Sequence, residues 1–127
     1  MKEYKVRCPM TASLSVLGGK WKPLMLWYLH QNGAMRYGEL HRMLPDTSLK
    51  VYNDHLKELE RDGLIKKEIF AEVPPRTEYS LTDYGKTLVP MLQTMMEWGY
   101  QHLLKHPEIT DEKTFQEITS FFNNQKS

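Results

Sequence analysis

The sequence predicts a mainly α fold with a small β-hairpin, and three features of the 127-residue chain carry that prediction. Apolar residues recur at helical spacing in several short runs up to Leu59. A block rich in β-branched and aromatic residues follows, interrupted by Pro74-Pro75-Arg76, and reads as two strands around a stiff turn. A long apolar-rich run from Leu88 then returns to helical spacing. Hydrophobic residues make up 40% and charged residues 26%, ordinary globular values that exclude a disordered or fibrous chain. The length suits one domain with appendages.

From Pro9, the residues Ala12, Leu14, Val16 and Leu17 form a short helix that Gly18-Gly19 ends; Pro9 suits the first turn, where its missing N–H is not needed. Trp21, Leu24, Met25, Leu26, Trp27, Tyr28 and Leu29 are apolar nearly all round, so a second helix is expected at the centre of the core until Asn32-Gly33 stops it. Tyr37, Leu40, His41 and Leu44 mark a third, short helix ending at Pro45. Thr47 or Ser48 offers a hydroxyl cap for a fourth. There Leu49, Tyr52, Leu56 and Leu59 recur on the core face, which puts Lys50, Asn53, Asp54, Lys57 and Arg61 on the opposite one. Asp62-Gly63 closes it.

Leu64 to Val73 is the first strand, Pro74-Pro75-Arg76 the turn and Thr77 to Leu81 the second strand. Thr82 is expected to cap a long helix in which Leu88, Met91, Leu92, Met95, Met96, Trp98 and Leu103 cover more than one narrow apolar stripe. That excess asks for a partner. A last amphipathic segment, about Asp111 to Asn123, sets Phe115, Ile118, Phe121 and Phe122 on one side. Two short helices joined by a turn and followed by a hairpin outline a winged helix-turn-helix.

The net charge of +1 is unevenly placed. Residues 1–76 carry 13 Lys and Arg against 9 Asp and Glu, whereas residues 77–127 carry 4 against 7. A basic front and an acidic back fit nucleic-acid binding by the first part and another role for the second. Met1 to Arg7 lacks an apolar signal core and no later stretch approaches a membrane span, so a cytoplasmic protein without membrane contact is expected. Cys8 is the single cysteine, which excludes an internal disulfide and a cysteine zinc cluster but leaves a reactive thiol.

Cys8-Pro9, Gly18-Gly19-Lys20-Trp21, Arg36-Tyr37-x-Glu39-Leu40, Leu56-x-Glu58-Leu59-Glu60-x-Asp62-Gly63-Leu64 and Val73-Pro74-Pro75-Arg76-x-Glu78-Tyr79-Ser80-Leu81-Thr82 occur in this order. Together they resemble the HxlR family of bacterial regulators, relatives of the MarR group, from about Cys8 to Gly99. Tyr52 departs from the leucine usual in that family. The resemblance implies a homodimer held by the first helix and the last two, with Leu14, Leu92, Met95, Met96, Leu103, Phe115 and Phe121 at the interface. It also implies a recognition helix and a wing projected onto DNA. Residues 8–106 would form the winged helix-turn-helix domain with its long dimerisation helix, and 107–127 a C-terminal helix and tail. Pro90 inside that long helix calls for a kink or a helix start nearby.

The fourth helix supplies side chains for base edges in the major groove: Ser48, Lys50, Val51 and Asn53. Lysine donates to guanine acceptors, asparagine pairs with adenine and valine touches a thymine methyl. Lys57 and Arg61 lie where phosphates would be. Arg76 at the wing tip, supported by Lys66 and Lys67, is set for a minor groove or a phosphate, or else pairs with Glu72 and Glu78. Arg36 and Tyr37 would meet the backbone at a helix N-terminus, with Tyr37 equally suited to the core. Two recognition helices in successive grooves imply an inverted-repeat operator in double-stranded DNA, with half-sites about 34 Å apart.

Cys8 stands at a helix N-terminus with Lys5 and Arg7 close in sequence, and helix dipole and cations both favour the thiolate. The resemblance implies that it senses an oxidant or a small electrophile; the alternative is a packing residue. His102 and His106 stand one turn apart but lack a third metal ligand nearby, and Gly18-Gly19-Lys20 lacks phosphate-loop spacing, so no metal or cofactor is expected. No convergent acids, bases or nucleophiles suggest an enzyme. The sequence therefore reads as a DNA-binding transcriptional regulator, a repressor before an activator, with thiol control through Cys8 as the resemblance implies. A constitutive or small-ligand-responsive DNA binder and a winged-helix protein-contact module stay open as alternatives.

Overall fold

The computed structural model describes residues 6–125. The elements run α1 (Pro9–Val16), α2 (Lys22–Asn32), β1 (Met35–Arg36), α3 (Tyr37–Arg42), α4 (Leu49–Arg61), β2 (Ile65–Phe70), β3 (Arg76–Leu81), α5 (Asp83–Lys86), α6 (Val89–Lys105) and α7 (Glu112–Gln125), with a 3₁₀ turn at Pro107–Ile109. The chain divides after Val89 into two compact units.

In the first unit α2 is the central helix that its apolar sequence predicts, with Met25, Leu26, Trp27 and Leu29 buried. It packs on α3 and β3, while α4 packs on β2. Leu40 and Leu44 fill the core from the α3 side, and Tyr52, Leu56 and Leu59 from α4. The segment between α3 and α4 is held by its own hydrogen bonds: Leu44 N–H to the His41 carbonyl, Thr47 N–H to the Leu44 carbonyl, and His41 Nε2 at 2.9 Å from the Thr47 carbonyl.

Ser48 is the N-cap of α4, its hydroxyl oxygen accepting the Val51 N–H at 3.2 Å. At the other end Gly63, with φ +75°, lets the chain reverse so that its N–H donates to the Glu60 carbonyl and the Leu64 N–H to the Leu59 carbonyl. The expected core face needs one correction. Leu49 is 56% exposed, because it occupies the first position of the helix, beyond the reach of the core that receives Tyr52, Leu56 and Leu59.

β2 and β3 pair antiparallel from Ile65↔Leu81 to Phe70↔Arg76. The first strand is shorter than Leu64–Val73, since pairing stops at Phe70 and residues 71–75 form the exposed tip. Arg76 is consequently the first residue of β3 rather than part of the turn. The sequence gives no sign of β1, which adds a third strand on the other edge of β3 through Met35↔Tyr79 and Arg36↔Glu78.

Thr82 caps a one-turn helix, α5, not the long one: its Oγ1 accepts the Gly85 N–H at 2.9 Å and donates to the Gly63 carbonyl at 2.5 Å. A Cβ on Gly85 would lie 2.1 Å from the Leu64 carbonyl oxygen, so only glycine lets α5 sit this close to the start of β2. The long helix begins afresh at Val89. Pro90 is therefore its second residue, where no intrahelical donor is required, as a helix start nearby demanded.

In the second unit Asp111 caps α7 by accepting the Thr114 N–H at 2.7 Å, and that hydrogen bond holds its carboxyl below the usual range. Tyr100 of α6 stacks on Phe122 of α7 at 4.3 Å between centroids. Phe115, Ile118 and Phe121 are half-buried, while Met95, Trp98 and Leu104 are exposed along α6. Among the described residues no helix is long and apolar enough to cross a membrane.

Candidate nucleic-acid interface

The outward face of α4 carries Lys50, Asp54, Lys57 and Arg61, all exposed, as the helical spacing requires. Lys50 Nζ lies 3.2 Å from Asp54 one turn on, and Arg61 Nε lies 3.4 Å from Asp62. Both pairs are solvent-facing and weak, so either cation is free to exchange its carboxylate for a phosphate or a base. Ser48 uses its oxygen to cap the helix, which leaves its O–H as a donor. Val51, the residue expected to meet a thymine methyl, is half-buried.

Asn53 is fixed from α3. The Tyr37 hydroxyl donates to Asn53 Oδ1 at 2.6 Å, and the Tyr52 hydroxyl in turn donates to the Tyr37 carbonyl at 2.6 Å. The Tyr37, Tyr52 and His41 rings pack together with centroids 5.1 and 4.7 Å apart. Burial pushes the Tyr52 hydroxyl far above its usual range, so it stays a neutral donor. Tyr37 thus packs as a half-buried ring whose hydroxyl orients an α4 side chain, a role the sequence did not suggest. Tyr52 is the residue that ties Tyr37 down.

A second link joins α2 to α4. Lys22 Nζ, in a side chain only 3% exposed, donates to Glu58 Oε2 at 2.7 Å, and His55 Nδ1 lies 3.4 Å from Glu58 Oε1. The Lys22 hydrogen bond holds the Glu58 carboxyl below the ordinary range. Neither Lys22 nor Glu58 was legible as a pair, because 36 residues separate them.

At the wing, Arg76 takes the second of its two expected placements, beside Glu72 and Glu78. Its guanidinium lies 3.3 Å from Glu72, 3.1 Å from Glu78 and 4.2 Å above the Phe70 ring, and its side chain is 27% exposed. The register explains this, since Phe70 is directly opposite Arg76 and Glu78 lies two residues along on the same face. Lys66 and Lys67 are exposed but point to opposite faces of β2, so they do not act as a pair around Arg76. Arg36 is exposed next to α3, but its N–H is already donated to Glu39 Oε1 at 2.8 Å and so does not wait for phosphate.

Cys8 is the N-cap residue of α1 and is exposed. The backbone N–H groups of Met10 and Thr11 hold its thiol below the usual range. Among the described residues these amides are the leading cause; Lys5 lies outside the described residues. Of the expected interface residues, Leu14 and Met95 are exposed and Met96, Leu103, Phe115 and Phe121 half-exposed. Leu92 is buried within the single chain and offers no surface to a partner. Among the described residues no group of three or more His, Cys, Asp or Glu is placed to hold a metal ion.

A tight helix-turn-helix with a capped, polar-faced second helix, followed by a β2–β3 wing to which β1 adds an edge strand, is the architecture of a winged helix-turn-helix protein. The profile of the HxlR-like helix-turn-helix family matches residues 16–107, and the chain belongs to that family. It is 40% identical over 95 residues to the uncharacterized HTH-type transcriptional regulator YdeP of Bacillus subtilis, covering 75% of this chain and 73% of that one. Among solved structures it is similar to the redox regulator HypR in its oxidized form, with 39% identity, TM-score 0.71 and coverage of 74% of this chain and 96% of that one. The diamide-treated YodB of B. subtilis aligns with 32% identity and TM-score 0.63 over 76% of this chain and 96% of its own. The protein is a transcriptional regulator of this class.

Proposed function

We propose that the protein is a homodimeric repressor that binds an inverted-repeat operator and releases it when Cys8 is oxidised or alkylated. The observation that carries the reading is the capped N-terminal half of α4, where Ser48, Lys50 and Asn53 face outward or are held ready by Tyr37. Lys57, Arg61, Lys66 and Arg36 supply phosphate contacts around it, and Arg76 braces the wing. Residues 8–106 act as the DNA-binding and dimerising body, with 107–127 as an appended helix. The exposed apolar residues of α1 and α6, Met10, Leu14, Met95 and Trp98, support a dimer.

The thiol reading rests on exposure and on the amides that favour the Cys8 thiolate. HypR is named a redox regulator and YodB was captured after diamide treatment, which supports carrying the same chemistry to this chain. As the single cysteine, Cys8 forms a disulfide with the partner protomer or a small thiol, or takes an adduct. The test is binding of the reduced protein to its own upstream promoter across a salt series, repeated after diamide or a quinone. Affinity should fall steeply with salt, fall again on treatment, and recover with reductant. Release that persists in Cys8→Ser removes the sensor; absence of duplex binding at low salt removes the whole reading.

A further inference from the structure

We propose that Leu49 reads the 5-methyl group of a thymine in each operator half-site. The inference rests on the reading that α4 enters the major groove. Every other large apolar residue of α4 at the expected core positions is buried to 3% or less, while Leu49 is 56% exposed. Because apolar stabilisation scales with the area removed from water, the fold gains little from this leucine.

Its place says what it is for. Leu49 is the first residue of α4, directly after the Ser48 cap and beside exposed Lys50. One turn on, and on the same side of the helix, stands Asn53, whose amide is fixed by Tyr37. The N-terminal turn of a recognition helix is the part that reaches base edges. In the major groove the one apolar group that any base pair presents is the thymine methyl. A leucine flanked by a cation and an oriented amide at that point therefore matches a thymine among hydrogen-bonding neighbours. Val51 is half-buried two positions further round the helix and is the poorer candidate.

The test uses the full-length wild-type protein to select a duplex from a randomised pool, after which each thymine is replaced singly by uracil, removing only the methyl. One thymine per half-site should matter, its loss weakening binding about fourfold, the worth of one buried methyl-sized group. Leu49→Ala should bind the original duplex more weakly and be indifferent to uracil at that position, whereas Leu49→Met should retain the dependence. Because the side chain is exposed, thermal unfolding of Leu49→Ala should match wild type; marked destabilisation would place Leu49 in the core and end the proposal. Wild-type binding insensitive to every uracil, or an unchanged methyl dependence in Leu49→Ala, overturns it while leaving the regulator intact. Failure of wild type to select any duplex overturns both readings.

Discussion

Removing one member of the Lys22–Glu58 pair at a time should destabilise the protein unequally. The two groups meet at 2.7 Å, but Lys22 is 3% exposed and Glu58 35%. Glu58→Gln leaves an ammonium buried against a neutral amide. Breaking a buried pair from one side costs about 3–5 kcal/mol, and the remaining amide oxygen keeps the loss near the lower end, about 3 kcal/mol. Lys22→Met removes the charge from the buried side, keeps its volume and strands a carboxylate that water already reaches. The cost should be about 1 kcal/mol, as for a solvent-screened pair. Because Lys22 holds the Glu58 carboxyl below its usual value, the pair's contribution is complete above about pH 4.3 and is lost as pH falls through the folded-state value. Urea unfolding at pH 7 and at pH 3.5, followed by circular dichroism at one protein concentration, measures both effects; the concentration is fixed because self-association adds to apparent stability. Equal losses in the two variants, a larger loss in Lys22→Met, or a gap between wild type and Glu58→Gln that does not narrow in acid would refute the reasoning.

Gly85→Ala should lose at least about 2 kcal/mol, since its Cβ meets the Leu64 carbonyl at 2.1 Å and backbone must move; a melting temperature equal to wild type would contradict the close approach. Tyr37→Phe should cost about 1 kcal/mol in stability for the lost hydrogen bond and weaken binding to a selected duplex by freeing Asn53. Unaltered affinity, read by fluorescence anisotropy, would show that Asn53 does not meet DNA. Ser48→Ala should lose about 1 kcal/mol with the cap, while Ser48→Asp should keep the cap and the stability but bind duplex DNA poorly through repulsion from phosphate. Wild-type affinity in Ser48→Asp would place the N-terminus of α4 away from the DNA.

The helices of the first unit were legible where a local signal fixed them. Pro9 and Gly18-Gly19 bound α1, Ser48 and Gly63 bound α4, and the unbroken apolar character of α2 marked it as central. Each of these signals acts within one or two turns of chain. β1 was illegible for the opposite reason, because Met35 and Arg36 are strand only by pairing with Tyr79 and Glu78, more than forty positions away. The break between α5 and α6 is of the same kind. Thr82 announces a cap, but only the contact of Gly85 with Leu64 shows that the helix it caps is a single turn.

The placements of two side chains, Leu49 and Arg76, were not legible in the sequence, for different reasons. Helical periodicity gives the angle of a side chain around the axis and says nothing of its depth along it. Leu49 shares a flank with Leu56, yet it stands two turns nearer the helix start, past the last residue that can fill the core. For Arg76 the sequence contained the right partners and the wrong ones with equal weight. Glu72, Glu78 and a phosphate are all within reach of a wing arginine, and only strand register decides among them. With Phe70 set across from Arg76 and Glu78 on the same face, the guanidinium is enclosed by two carboxylates and a ring before any DNA arrives. Moving it onto a phosphate would leave Glu78 facing Glu68 across the strands without its counter-charge, a cost that Lys50 and Lys57 on the open face of α4 do not carry.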